Sequence, residues 1–281
     1  MSRGLTFSLT FLAMLAFAGN SLLCRLALKH TAIDAASFTA IRLVAGALVL
    51  WPIMRMRAGV PTSGGNWPSS VALFVYAACF SYAYLSLPAA TGALLLFGAV
   101  QATMIGYGLW RGERLRLPQS LGLVLAGAGV AGLLFPGLSA PPLAGAMLML
   151  GAGAAWGIYS LRGKGAGDAS AATTGNFLRA APLGVVLAAV AYPWSSLDGA
   201  GVWYAIASGA LTSGLGYAVW YAALRGLKAT SAATVQLSVP PIAALGGIVF
   251  LGEAFTPRFL LASIAILGGI ALVIVESRAA R

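Results

Sequence analysis

Charge is scarce in this chain, and acid is scarcer still. Only 8% of its 281 residues are charged, against about 25% in an ordinary globular domain. Six residues are acidic and one is histidine. A water-soluble domain keeps itself in solution with a charged surface, and this chain has too little charge to make one. Cysteine is scarce as well. Cys24 and Cys79 lie in or at the ends of apolar runs, so a disulfide framework is not expected. His30 is alone, and no Cys/His spacing fits a metal, so neither metal nor cofactor is expected. The acids Asp34, Glu113, Asp168, Asp198, Glu253 and Glu276 all fall at helix ends or in loops. No nucleophile–base pair can be assembled from such an inventory, and the chain does not read as an enzyme.

What is present is apolar. Hydrophobic residues make up 60% of the chain, and mean hydropathy is +0.90. About 20 apolar residues cross a bilayer core as a helix. Ten such runs are expected at 5–24, 35–54, 70–87, 91–110, 118–136, 142–161, 172–193, 202–224, 231–251 and 258–275. Breakers such as "GVPTSGGNWP" and "FPGLSAPP" separate them. The N-terminal run has the look of a signal peptide. It is long, lacks a convincing cleavage site and precedes nine more runs, so it is read as the first span. The fold class expected is an all-α integral membrane protein of ten transmembrane helices. Its partners are then the lipid bilayer and a small-molecule substrate, with no obligate protein partner evident.

Net charge is +11, but the basic residues punctuate the apolar runs and form no strip for nucleic acid. They write topology instead. With the N-terminus inside, the inner ends hold Arg3, Arg55, Arg57, Arg111, Arg114, Arg116, Arg162, Lys164, Arg225, Lys228, Arg278 and Arg281. The outer ends hold only Arg25, Lys29 and Arg258. Both termini are therefore expected in the cytoplasm, with the protein in a bacterial inner membrane.

The two halves repeat. At an offset of 140, "TGALLLFGAVQATMIGYGLWRGE" aligns without a gap on "SAATVQLSVPPIAALGGIVFLGE". Gly106 meets Gly246, Gly112 meets Gly252, and Glu113 meets Glu253. Each half holds five helices, an odd number, so the second half enters the membrane inverted. The halves are placed at 1–138 and 139–281. Inverted repeats are a common plan of secondary transporters, with substrate bound near the midplane between them.

Several pieces resemble a known family. "AFAGNSLLCRLAL" and "GAAWGIYSLRGK" look like first helices of EamA repeats, and "FTAIRLVAGALVLWP" looks like a second helix. The two "GE" segments look like fourth-to-fifth helix junctions. The chain thus resembles the ten-helix EamA branch of the drug/metabolite transporter superfamily. Within it the likeness is to YddG-type exporters of amino acids and aromatic compounds. The loop "LRGKGAGDA" is shorter and richer in glycine than the family pattern.

Candidate site residues follow from depth. Tyr76, Phe80 and Tyr84 share a face of the third span, as Tyr217, Trp220 and Tyr221 do on the eighth. Asn20, Trp156 and Tyr159 lie at matching depths of the first and sixth spans; Gln101, Gln236 and Ser238 lie on the fourth and ninth. Together they would line an aromatic cavity with a few amide and hydroxyl groups, suited to an amphipathic small molecule. Each of them also has an ordinary packing role open to it. Trp67, Trp110, Trp194 and Trp203 fit an interfacial belt instead.

Two arginines sit inside spans. Arg42 and Arg179 lie about 12 Å into their helices at 1.5 Å per residue. They could capture a substrate carboxylate or hold the halves together. The repeat favours structural pairs, Arg42 with Glu253 and Arg179 with Glu113. Pro240 and Pro241 are expected to bend the ninth helix at mid-membrane.

The expected activity is export of amino acids and related aromatic or amphipathic metabolites by alternating access. An exporter of organic cations remains an alternative, since aromatic faces bind cations. Proton coupling is not expected, because no span carries a central acid or histidine.

Overall fold

The computed structural model describes residues 2–56, 64–112, 114–137, 140–163, 168–224, 226–227 and 235–279, with the side chains of Leu224 and of residues 275–279 left out of the description. Among these residues every regular element is helical. The elements are α1 (Arg3–His30), α2 (Ala35–Arg55), α3 (Trp67–Tyr84), α4 (Ala89–Trp110), α5 (Leu117–Leu134), α6 (Leu143–Gly163) and α7 (Ala169–Val190). A short 3-10 turn, Tyr192–Trp194, follows. Then α8 (Gly199–Ala207), a π segment (Ser208–Leu215) and α9 (Gly216–Leu224) run on without a break. Last come α10 (Val239–Leu251) and α11 (Pro257–Ala279).

Helix starts follow local chemistry. Four free N–H groups open every helix and need acceptors. Asp34 supplies them for α2, Asn66 for α3, Asp168 for α7 and Asp198 for α8. Prolines, which lack that N–H, stand in the first turns of α3, α5 and α10. Gly112 and Gly252, paired in the repeat, both have positive φ, +91° and +61°. That left-handed geometry ends the preceding helix and favours glycine, which gives the shared "GE" junction a backbone cause.

Among the described residues seven helices are long and apolar enough to cross a membrane: α1, α2, α4, α5, α6, α7 and α11. The chain is an integral membrane protein. Large apolar side chains face outward along the helices, among them Phe7, Leu48, Val124, Val186 and Phe250. Such a surface suits lipid and not water. Trp67, Trp110, Trp194 and Trp203 are also exposed.

Two expectations need correction. Of the ninth span, 231–251, residues 235–251 are described, and they do not form one helix bent at its middle. Among the described residues its long helix begins at Val239, so Pro240 and Pro241 occupy a first turn, where no intrahelical N–H bond is lost. The eighth span is helical but not α-helical throughout, because the π segment occupies its centre.

Helices pack across the midpoint of the chain. α1 lies against α8, the π segment and α9, as α6 lies against α3. α2 packs on α7, α4 on α6, α1 on α10, and α5 on α11. Two polar clusters tie the ends. At one end Arg25 pairs with Glu253 at 3.3 Å, and Glu253 also accepts from the backbone N–H of Ala89. Asp34 at this end accepts from the Ser196 N–H at 3.0 Å. At the other end Arg162 donates to Ser69, and Arg179 to the Gly64 carbonyl.

Candidate functional site

Near the middle of the bundle, α1, α3, α4, α6, the π segment and α9 enclose a cavity. Its walls are Phe17, Asn20, Ser21, Tyr76, Phe80, Leu96, Phe97, Trp156, Thr212, Tyr217 and Gln236. It leaves ≈ 20 Å³ for the centre of a water-sized sphere. That admits a water but no metabolite, so the centre is contracted here.

Aromatic rings form most of the wall. Trp156 is the hub, with ring centroids 4.8 Å from Tyr76, 5.3 Å from Tyr159 and 5.1 Å from Tyr217. Phe17 meets Tyr217 and Trp220 edge-on. These distances are those of favourable aromatic pairs. Three of the polar wall residues, Asn20, Tyr76 and Thr212, are linked by hydrogen bonds. Asn20 Nδ2 donates to the Tyr76 hydroxyl at 3.3 Å. Asn20 Oδ1 accepts from Ser208 at 2.7 Å and Thr212 at 3.2 Å. Asn20 thus ties α3 to the π segment. π turns in α-helices recur at functional sites.

Arg42 stands behind this wall. Nη2 donates to the Tyr76 hydroxyl at 3.0 Å and Nε to Ser213 at 3.3 Å. Its guanidinium lies 5.2 Å from the Tyr76 ring centroid and 4.9 Å from that of Phe80. The expected Arg42–Glu253 pair is not formed. Glu253 is held by Arg25 instead, because Arg25 lies one helix away at the same end and reaches it directly. Arg179 is half-buried and bonds carbonyls of Gly64 and Gly175. Its expected partner Glu113 lies outside the described residues.

Six of the twelve residues expected to bind substrate line the cavity: Asn20, Tyr76, Phe80, Trp156, Tyr217 and Gln236. The rest stand behind it or apart from it. Tyr84 is fully buried, and its hydroxyl donates to the Ala89 carbonyl. Tyr159 and Tyr221 bond Thr173. Trp220 packs on Phe17, Gln101 is buried away from the cavity, and Ser238 donates to the Val235 carbonyl beside α10. Phe17, Ser21, Leu96, Phe97 and Thr212 complete the wall without having been singled out. They sit in runs where almost every residue is apolar or small, and such runs carry little sign of which face points inward.

Among the described residues no group of His, Cys, Asp and Glu could hold a metal. The acids whose side chains are described, Asp34, Asp168, Asp198 and Glu253, all lie at helix ends, away from the cavity.

Comparison with known proteins places this architecture. Residues 143–275 match the EamA-like transporter family. An uncharacterized protein of Pseudomonas aeruginosa is 59% identical over 280 residues, 98% of this chain and 97% of that one. The chain belongs to the EamA-like transporter family. It is thus of a family of transporters rather than enzymes. The threonine/homoserine exporters RhtA of Escherichia coli K12 and Salmonella typhimurium are each 36% identical over 132 residues, covering 44% of this chain and 43% of the exporter. A crystal structure of another protein aligns over 100% of both chains, with a TM-score of 0.69 and 20% identity. That likeness is one of fold alone.

Proposed function

We propose that this EamA-family protein exports amino acids and related aromatic or amphipathic metabolites across a bacterial inner membrane. It does so by alternating access around the central cavity. The observation that carries the reading is the cavity itself. Aromatic rings surround a small set of amide and hydroxyl groups, in the middle of a bundle whose helices pack across the chain's midpoint. Similarity to the threonine/homoserine exporters supports the substrate class.

Ten spans, in two inverted repeats at 1–138 and 139–281 with both termini in the cytoplasm, are part of this proposal. Exchange of the halves maps the packing onto itself. α1 on the α8–α9 rod becomes α6 on α3, and α4 on α6 becomes α10 on α1. Gly112 and Gly252 share their geometry at equivalent junctions. One half paired with its inverted copy gives two related arrangements, open to opposite sides. A buried arginine behind the wall disfavours the organic-cation alternative, because a cationic substrate would be repelled there.

Cells that overproduce the chain should excrete amino acids faster than cells carrying a Trp156→Ala, Tyr217→Ala double variant of equal abundance. Excretion equal to that of the variant would contradict the proposal.

A further inference from the structure

Arg42 is 1% exposed. A guanidinium buried in a membrane protein costs free energy unless a counter-charge or a full set of acceptors offsets it. Neither is present. Among the described residues the ion pair is Arg25–Glu253, which leaves Arg42 out. The partners of Arg42 are neutral: Ser213, Tyr76 and the ring faces of Tyr76 and Phe80. A guanidinium carries five N–H donors. Nη1 has no hydrogen-bond partner and no contact with solvent. The two rings that hold the guanidinium are themselves walls of the central cavity.

A structural clamp would look different. It would end on a carboxylate or on backbone carbonyls, as Arg25 and Arg179 do. Arg42 ends on groups that can let go. The Tyr76 hydroxyl is shared between Asn20 and Arg42, so it keeps a donor if the guanidinium releases it. Release would leave Nη1 and Nη2 side by side, the fork that a carboxylate accepts in two parallel bonds.

We propose that Arg42 is the carboxylate-binding residue of the central cavity. The anion enters when the contracted centre expands and Tyr76 turns aside. The carboxylate supplies the missing counter-charge, and the faces of Trp156 and Tyr217 receive the rest of the molecule, including an ammonium group where there is one. This deepens the amino-acid reading and rests on it only for the ammonium end of the ligand.

The test is binding to the purified full chain in detergent at constant ionic strength, read by tryptophan fluorescence and thermal shift. The probes are phenylalanine, phenylalanine amide and 3-phenylpropionate. The carboxylate-bearing probes should bind at least about tenfold more tightly than the amide, one good charge-assisted contact being worth that factor. Arg42→Gln should erase the preference, and Arg42→Lys should retain part of it. Equal binding of acid and amide by the wild type overturns the proposal, as does failure of both carboxylates to bind. A folded Arg42→Gln that keeps the preference overturns it too. If Arg42→Gln does not fold, the wild-type comparison of acid and amide decides alone. Binding of 3-phenylpropionate without phenylalanine would uphold the carboxylate site while defeating the amino-acid reading.

Discussion

Arg25 and Arg42 enter the membrane from the same end of the bundle, yet they do different work. Arg25 Nε pairs with Glu253, and its Nη1 donates to the Tyr84 and Leu85 carbonyls. Glu253 also accepts from Ala89, so one carboxylate joins α1, the start of α4 and the end of α10. Both side chains are under a tenth exposed. Glu253→Ala would strand a buried cation and an N–H group, at about 3–5 kcal/mol. Thermal or denaturant unfolding in detergent should show that loss; a change below about 0.5 kcal/mol, the scale of a surface substitution, would mean the pair holds nothing. The basic-residue pattern and the repeat put Arg42 and Glu253 at one end of the molecule, but they say nothing of direction around a helix. That is why the expected partner was wrong: Glu253 pairs with Arg25. Depth misleads in another way: Tyr76 and Phe80 line the cavity, while Tyr84, two turns on from Tyr76 and at the end of α3, lies beyond it.

Among the elements, the order of the helices was legible and their bounds only to within several residues: α1 runs on to His30 and α3 starts at Trp67. Asp, Asn and Pro stand where helices begin, and those residues act through a few local bonds that any sequence displays. The π segment was not legible. It depends on long-range packing, with Ser208 and Thr212 turned to Asn20, Ser213 to Arg42, and Gly209 where a Cβ would strike the Arg42 backbone. One cap also makes a tertiary clip. Asp34 accepts from Ala36 and Ser37 at the start of α2 and from Ser196 in the loop before α8. Partial burial pushes its pKa up, but the bonds from Ser37, Ser196 and Ala36 outweigh that, and the net shift is downward. A carboxyl with a lowered folded pKa adds stability above its unfolded value, and loses it as pH falls through the folded one. Wild type should therefore exceed Asp34→Asn in stability near neutral pH. The gap should close as pH drops below the ordinary aspartate value of about 3.9. Melting temperatures of both proteins between pH 7 and pH 3 check this, and a gap independent of pH would refute the clip.

For the whole molecule, an all-helical membrane fold was legible because composition alone forbids a soluble one, and the family was legible from short motifs along the chain. The contraction of the centre was not. Side chains of one chain can pack the same cavity tightly or loosely, and a sequence does not say which. The central claim is transport of amino acids by this cavity, and flux tests it most directly. Purified protein in liposomes loaded with labelled threonine or phenylalanine, with no pH gradient imposed, should release the amino acid saturably and faster than protein-free liposomes. No described acid lies at the cavity to carry a proton, so a concentration gradient alone should suffice. Liposomes that release organic cations but retain every amino acid would contradict the account.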